Sequence, residues 1–365
     1  MNKKKYKVLV VGAFPPPLFG SALMNQYLYE IKDEEIKFNN LKLNFNKDFS
    51  NIEKFALKKI FILFIGLLKY LFSIWMYDVI VYTHSFRTSA FLKDSLFILI
   101  SKIFGKKIIL YAQGLNMDLF YERQGKILKK YIDFILSKVD YFVTVSKKQI
   151  GEYKRWTKNN ISHIYNFVEV EDYNIKKEKT DKFRILFLST LTEFKGVFTF
   201  LNAIDILERK NNNYQYILCG SFSNKNKEEK MEIQNFVKEH KDKVILKGRV
   251  EGYAKAEVFI NADLYVFPTK NDSFGITNLE AMQYGLPIIT TKQGAISEYF
   301  SEPDNGFFIK EDDAKSLAEK IEIIANDDLL RNKISNYNKI YVRQNFTREN
   351  FSKQWCSVIK EVIKK

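Results

Sequence analysis

Cysteine is nearly missing from this 365-residue chain, and the two present, Cys219 and Cys356, are too few for a disulfide framework. A reducing, cytoplasmic compartment is the simpler reading. Three histidines, His84, His163 and His240, lie scattered, and no His/Cys spacing suits zinc. No Asp-x-Asp pair occurs, which removes the sequence form by which paired carboxylates hold a metal against a diphosphate. A Walker loop, a nucleophile elbow and an interleaved basic-aromatic nucleic-acid motif are equally missing. No metal, no cofactor and no nucleic acid is therefore expected.

A clean membrane span is also missing. Ile60–Tyr77 has the length of one, but Lys69 sits at its centre, at a cost of about 2.5–3.5 kcal/mol for a central lysine. The run passes directly into the strand-like Asp78–His84, as a domain helix would. Lys54, Lys58, Lys59 and Lys69 beside Phe55, Phe61, Phe64, Leu68 and Trp75 have the make-up of an interfacial helix that anchors without spanning. The N-terminus superficially has signal-peptide character, Lys3–Lys5 before Val8–Phe14. That run is short and ends in Pro15-Pro16-Pro17, so a buried strand followed by a loop explains it better.

What the chain does contain is apolar residues, 46%, and a net charge of +15. The charge is uneven. Residues 1–180 hold 30 Lys and Arg against 17 Asp and Glu, while the remainder holds 28 against 26. A surplus confined to one half suggests that this half meets an anionic partner, either a membrane surface, a pyrophosphate-linked lipid or nucleic acid, the alternative being a Lys-rich codon bias.

Dense apolar segments at Lys7–Ala13, Asp78–His84, Lys107–Gln113 and Tyr141–Ser146 read as strands covered on both faces. The polar stretch Glu169–Lys182 has no periodic apolar face and reads as a linker. The rhythm then restarts with Phe183–Thr190, Tyr214–Gly220, Val244–Val250, Asp263–Thr269, Pro287–Lys292 and Gly306–Lys310. After Asp312 the pattern is helical, and Phe351, Trp355, Ile359 and Val362 form one stripe. The fold class that follows is α/β, two Rossmann-like doubly wound domains.

The segment Asn271–Tyr299, NDSFGITNLEAMQYGLPIITTKQGAISEY, places two carboxylates, Asp272 and Glu280, around a helix start. The turn at Phe274-Gly275 should expose free backbone N–H groups where the helix dipole favours an anion. A second constellation, ILFLSTLTEFKGVFTFLNAI, puts Lys195-Gly196 at a helix entrance, where a lysine can reach a diphosphate and the glycine lets backbone approach it. In the loop FPPPLFGS after the first strand, Gly20 is the close-approach residue. Alone that loop is a weak signal, because it lacks Gly-x-Gly-x-x-Gly.

Taken together, these segments resemble family-4 retaining glycosyltransferases of the GT-B fold. The family signature, Glu-x7-Glu followed by a Gly-x-Pro turn and paired glycines, has its counterparts in Asp272, Glu280, Gly285-Leu286-Pro287 and Gly294-Ala295. The resemblance implies two domains facing a cleft: an acceptor domain at 1–172, a donor domain at 173–346, and a helix at 347–365 that crosses back. It implies that Glu280 bonds the donor ribose, that Asp272 contacts the transferred sugar, that the backbone of Phe274, Gly275 and Ile276 lines that sugar, and that Thr277 also belongs to the donor site. Lys195 would stabilise the departing diphosphate. Thr190 stands where the family has an arginine, and Gln113 where it has a histidine. Asp272 is itself one methylene shorter than the family glutamate. The implied partners are a nucleotide-sugar donor, a glycan acceptor, lipid-linked in surface polysaccharide assembly, and the inner face of the cell membrane. The alternatives are a catalytically degenerate nucleotide-sugar-binding scaffold and an epimerase of the same fold.

Overall fold

The structure is a computed structural model describing residues 5–16, 18–43, 57–84, 87–169, 173–210, 213–223 and 226–365. It divides into two compact units, Met1–Asn166 with Glu349–Lys365, and Phe167–Arg348.

In unit 1 the chain runs through β1 (Tyr6–Gly12), α1 (Gly20–Tyr29), β2 (Ile36–Lys42), α2 (Leu57–Ser73) and β3 (Val79–Thr83). It continues through α3 (Thr88–Ile103), β4 (Lys107–Ala112), α4 (Met117–Glu122), α5 (Lys126–Leu136), β5 (Tyr141–Thr144), α6 (Ile150–Tyr153) and β6 (Ile161–His163). The strands form one parallel sheet in the order β2-β1-β3-β4-β5-β6. Val8–Val11 and Ile108–Ala112 are buried throughout, as central strands covered on both faces must be. The Ile60–Tyr77 run forms α2 and a 3-10 turn over Ile74–Met76, with Tyr70 and Ile74 in the core. No helix among the described residues is long and apolar enough to cross a membrane. Lys54 and Phe55 lie outside the described residues, as do the side chains of Lys58 and Lys59.

Unit 2 repeats the plan with β7 (Phe183–Leu188), α7 (Val197–Glu208), β8 (Tyr214–Cys219), α8 (Lys227–Glu239), β9 (Val244–Gly248), α9 (Gly252–Ile260) and β10 (Leu264–Phe267). Next come α10 (Ile276–Gln283), β11 (Ile288–Thr290), α11 (Ile296–Tyr299), β12 (Gly306–Phe308), α12 (Ala314–Asn326) and α13 (Asp328–Asn345). Its parallel sheet has the order β12-β11-β10-β7-β8-β9, the doubly wound Rossmann arrangement. The last helix, α14 (Arg348–Lys364), lies almost wholly in unit 1, where Trp355 is fully buried and meets Tyr111 edge-on, ring centroids 4.9 Å apart. Two strands that the apolar pattern did not announce, β2 and β6, close the two edges of the unit 1 sheet.

At the end of β3, His84 is buried beside Asp94, whose carboxylate accepts from the Tyr82 hydroxyl at 2.7 Å and pairs with Lys93 at 3.0 Å. Burial, seconded by the Lys93 charge, holds the His84 imidazole neutral, its pKa down to about 3. Asp94 lies 3.9 Å from Nδ1, but its charge is already matched by Lys93. Below the ordinary histidine value of 6.5 the unfolded chain takes up a proton that the folded chain refuses, so stability falls with pH until about pH 3. His84→Gln is expected to flatten the drop in Tm over that window, read by calorimetry at stepped pH. An equally steep drop would show that other groups govern it.

Candidate functional site

The strand order of unit 2 reverses between β7 and β10, which are hydrogen-bonded neighbours. Loops leaving such a pair diverge to opposite sides of the sheet and leave a crevice at the carboxyl ends, the place where open α/β sheets bind ligands. After β7 the chain passes exposed Thr190, makes a 3-10 turn over Glu193–Lys195, and enters α7 through Gly196. Gly196 has φ +80°, and a Cβ there would stand 1.9 Å from the Pro268 carbonyl oxygen. The chain's own packing therefore requires glycine here, beside whatever approach to a diphosphate it permits. Pro268, just past β10, occupies the space a Cβ would take, and the close approach holds the Lys195 turn against the neighbouring loop.

Lys195 meets that loop directly. Its Nζ lies 2.7 Å from Asp272 Oδ2 and 2.8 Å from the Asn271 carbonyl oxygen. The other carboxylate oxygen, Oδ1, accepts from the Phe274 N–H at 3.0 Å and the Gly275 N–H at 2.5 Å. These amides were expected to be open to a ligand, and the structure instead caps them with Asp272. A short acidic side chain just before a helix folds back onto the amides two and three residues on, the Asx-turn geometry. One carboxylate thus joins a lysine to the N-terminal end of α10.

Two further contacts hold this loop. Gly294 has φ +48°, and a Cβ on it would fall 2.3 Å from the Asp272 carbonyl oxygen and 2.4 Å from that of Ser273. The buried Tyr299 hydroxyl lies 2.9 and 3.1 Å from the Phe274 and Gly275 carbonyl oxygens. Burial raises its pKa well above the usual phenol range, so it keeps its proton and donates it there. With their carbonyls held by Tyr299, the peptides of this turn keep a fixed orientation toward Asp272.

Glu280 stands farther along α10 and pairs with Lys255 of α9 at 2.6 Å, both side chains being largely buried. Thr277, one residue into the same helix, hydrogen-bonds the Tyr265 phenol. Ile276 begins the helix half-buried, and Phe274 is buried against Tyr299 and Phe346. Gly20 and Gln113 belong to unit 1. There the Gln113 side-chain amide donates to Asn25 Oδ1 at 3.1 Å and to the Ser21 carbonyl at 3.5 Å, beside the first turn of α1 that Gly20 opens. Among the described residues no group of three or more His, Cys, Asp or Glu is placed to hold a metal ion.

The structure therefore brings Lys195, Asp272, Phe274 and Gly275 together, while Glu280 has a separate cationic partner. Sequence reasoning missed Lys255 and Tyr299. Tyr299 closes the segment that attracted attention but carried no role there. Lys255 had no spacing signal, since its partner lies 25 residues away.

Residues 169–341 match the family described as glycosyl transferases group 1. Capsular polysaccharide biosynthesis glycosyltransferase CapM of Staphylococcus aureus is 25% identical over 169 residues, 46% of this chain and 43% of that protein. O-antigen chain mannosyltransferase RfbU of Salmonella typhimurium is 27% identical over 236 residues, 62% of this chain and 63% of that one. The chain spans about half the length of the curated relatives it matches. Among solved structures, HepE of Anabaena in complex with UDP superposes with a TM-score of 0.74 at 15% identity, over 97% of this chain and all of that one. That likeness shows the fold, GT-B.

Proposed function

We propose, from the premise that residues 169–341 are a group 1 glycosyltransferase domain, that this protein moves a hexosyl group from a nucleoside diphosphate to a hydroxyl of a lipid-linked glycan. The transfer retains anomeric configuration, needs no metal, and serves a bacterial surface polysaccharide of the capsule or O-antigen kind. The observation that carries the reading is the junction of Lys195, Asp272 and the start of α10, set where the sheet order reverses. A cation and a helix N-terminus converging on one carboxylate make a place built for negative charge.

In this reading Glu280, steadied by Lys255, accepts from the ribose hydroxyls. Lys195 turns from Asp272 to the diphosphate as the donor arrives, and the released Oδ2 of Asp272 accepts from a hydroxyl of the transferred sugar. Charge grows on the departing phosphate as the glycosidic bond breaks, and Lys195 with the α10 end stabilises it. That phosphate takes the acceptor proton on the same face, so no protein nucleophile is required. Positioning and electrostatics supply the rate.

Thermal-shift measurements against a panel of nucleotide-sugars test this. A true donor at a hundred times its Kd adds about 2.7 kcal/mol of stability. Glu280→Ala is expected to lose most of that shift, because ribose bonds act in the ground state. Asp272→Ala should keep more of it while losing turnover. Equal donor affinity in wild type and Glu280→Ala, by calorimetry, would sink the assignment.

A further inference from the structure

Helices α2, α3 and α5 share one side of the unit 1 sheet. The chain passes from β2 to β3, β3 to β4 and β4 to β5 in one direction across the sheet, and right-handed crossovers then put all three connections on the same face. The packing agrees. Phe97 of α3 joins Tyr70 and Ile74 in one core cluster, and Phe91 and Ile98 of α3 join Ile132 and Ile135 of α5 in another. Their outward faces therefore lie on the same side of unit 1.

That surface is apolar to an unusual degree. From α2 and the turn after it, Phe61, Phe64, Phe72 and Trp75 are 57–78% exposed; Ile103 of α3 is 81% exposed and Ile127 of α5 88%. Single exposed apolar side chains are ordinary, whereas so many on three helices of one layer mark an interaction surface. Exposed Lys69, Lys126 and Lys130 lie among them. The three helices contain only two acidic residues. Asp94 is buried and bonded to Tyr82, and Asp133 accepts from Tyr121 and the Trp156 indole. No exposed carboxylate on these helices opposes an anion.

We infer that the outer face of α2, α3 and α5 docks on the surface of an anionic lipid bilayer. Exposed aromatic side chains insert among headgroups and acyl ends while lysines meet the lipid phosphates, the division of labour of an interfacial helix. The three-helix face gives the positive surplus of residues 1–180 a partner. A protein partner for so apolar a face would have to offer carboxylates beside a hydrophobic groove; the bilayer offers both chemistries over the whole area. The inference does not depend on which donor unit 2 binds.

Vesicle sedimentation of the full chain tests it, with phosphatidylcholine vesicles with and without phosphatidylglycerol. Wild type is expected to bind the anionic vesicles and to be released by salt. Each lysine near the surface contributes about fivefold, so Lys126→Glu/Lys130→Glu should weaken binding about twenty-fivefold or more. Phe72→Ser/Trp75→Ser should weaken it at least about tenfold. Both variants alter exposed side chains, so their melting and their nucleotide-sugar thermal shifts should match wild type. That control separates failure here from failure of the donor site. Equal binding to neutral and anionic vesicles, or binding unchanged in both variants, overturns the inference. So does a concentration-dependent dimer in sedimentation velocity that both variants abolish, with no vesicle binding, since a second copy would then cover the face.

Discussion

Lys195→Ala is expected to reduce turnover by about two to three orders of magnitude, the scale for removing one preorganised stabiliser of developing charge. In the proposed pose the loss has two parts. The departing phosphate loses its cation, and Asp272 loses the charge that balances it, so a bare carboxylate faces the incoming diphosphate. Lys195→Arg should recover only part of the rate, because a planar guanidinium cannot reproduce the point contacts that Nζ makes with both Asp272 and the Asn271 carbonyl. Initial rates of nucleoside diphosphate release measure it. Chelators should leave the wild-type rate unchanged, and a strict requirement for magnesium or manganese in the chemical step would point to a different arrangement of the site.

Gly294→Val is expected to disable donor binding without touching any side chain that meets the donor. A Cβ at this left-handed position would stand 2.3 Å from one carbonyl oxygen and 2.4 Å from the next, so the Asp272–Ser273 backbone must move. A β-branched residue at positive φ adds about 1–2 kcal/mol of conformational cost before any clash is counted. Together these should lower Tm by several degrees, at about 2–4 °C per kcal/mol for a domain of this size. Calorimetric titration with the donor found by thermal shift should then show affinity reduced by more than tenfold. A variant that melts lower yet binds the donor normally would show that the Asp272 loop tolerates displacement.

Much of the architecture was legible because central parallel strands are apolar on both faces, and Val8–Val11 or Tyr265–Phe267 can scarcely be anything else. The two strands that escaped notice have the opposite character. β2 carries Asn39 and Asn40 at its centre, and β6 is three half-buried residues ending in His163. Edge strands need satisfy only one neighbour and one covered face, so their composition stays close to that of a loop. Asp272, Glu280 and Lys195 were singled out from residue type and spacing near helix starts, and α7 and α10 begin where that spacing put them. The hydrogen-bond partners of these three residues were not legible. Asp272 reaches the Phe274 and Gly275 amides of its own turn because its side chain is short, and Lys255 of α9 meets Glu280 of α10 across 25 residues of chain. Only the folded chain establishes those contacts. Gly196 was singled out correctly as a position where backbone comes close, but the approaching group is Pro268 of the same chain.

The carboxylate of Asp272 that holds the Phe274-Gly275 turn before α10 and also Lys195 has a bearing on selectivity. A tethered group competes for its own site at a high effective concentration, commonly in the millimolar range or above. Free phosphate, or any small anion that draws Lys195 away, would leave Asp272 Oδ2 facing solvent with nothing in return. A nucleotide-sugar in the proposed pose offers Lys195 a phosphate and offers Asp272 a sugar hydroxyl in the same encounter. In the proposed pose the site thus carries its own competitor, one that the complete donor should displace far more readily than its fragments would.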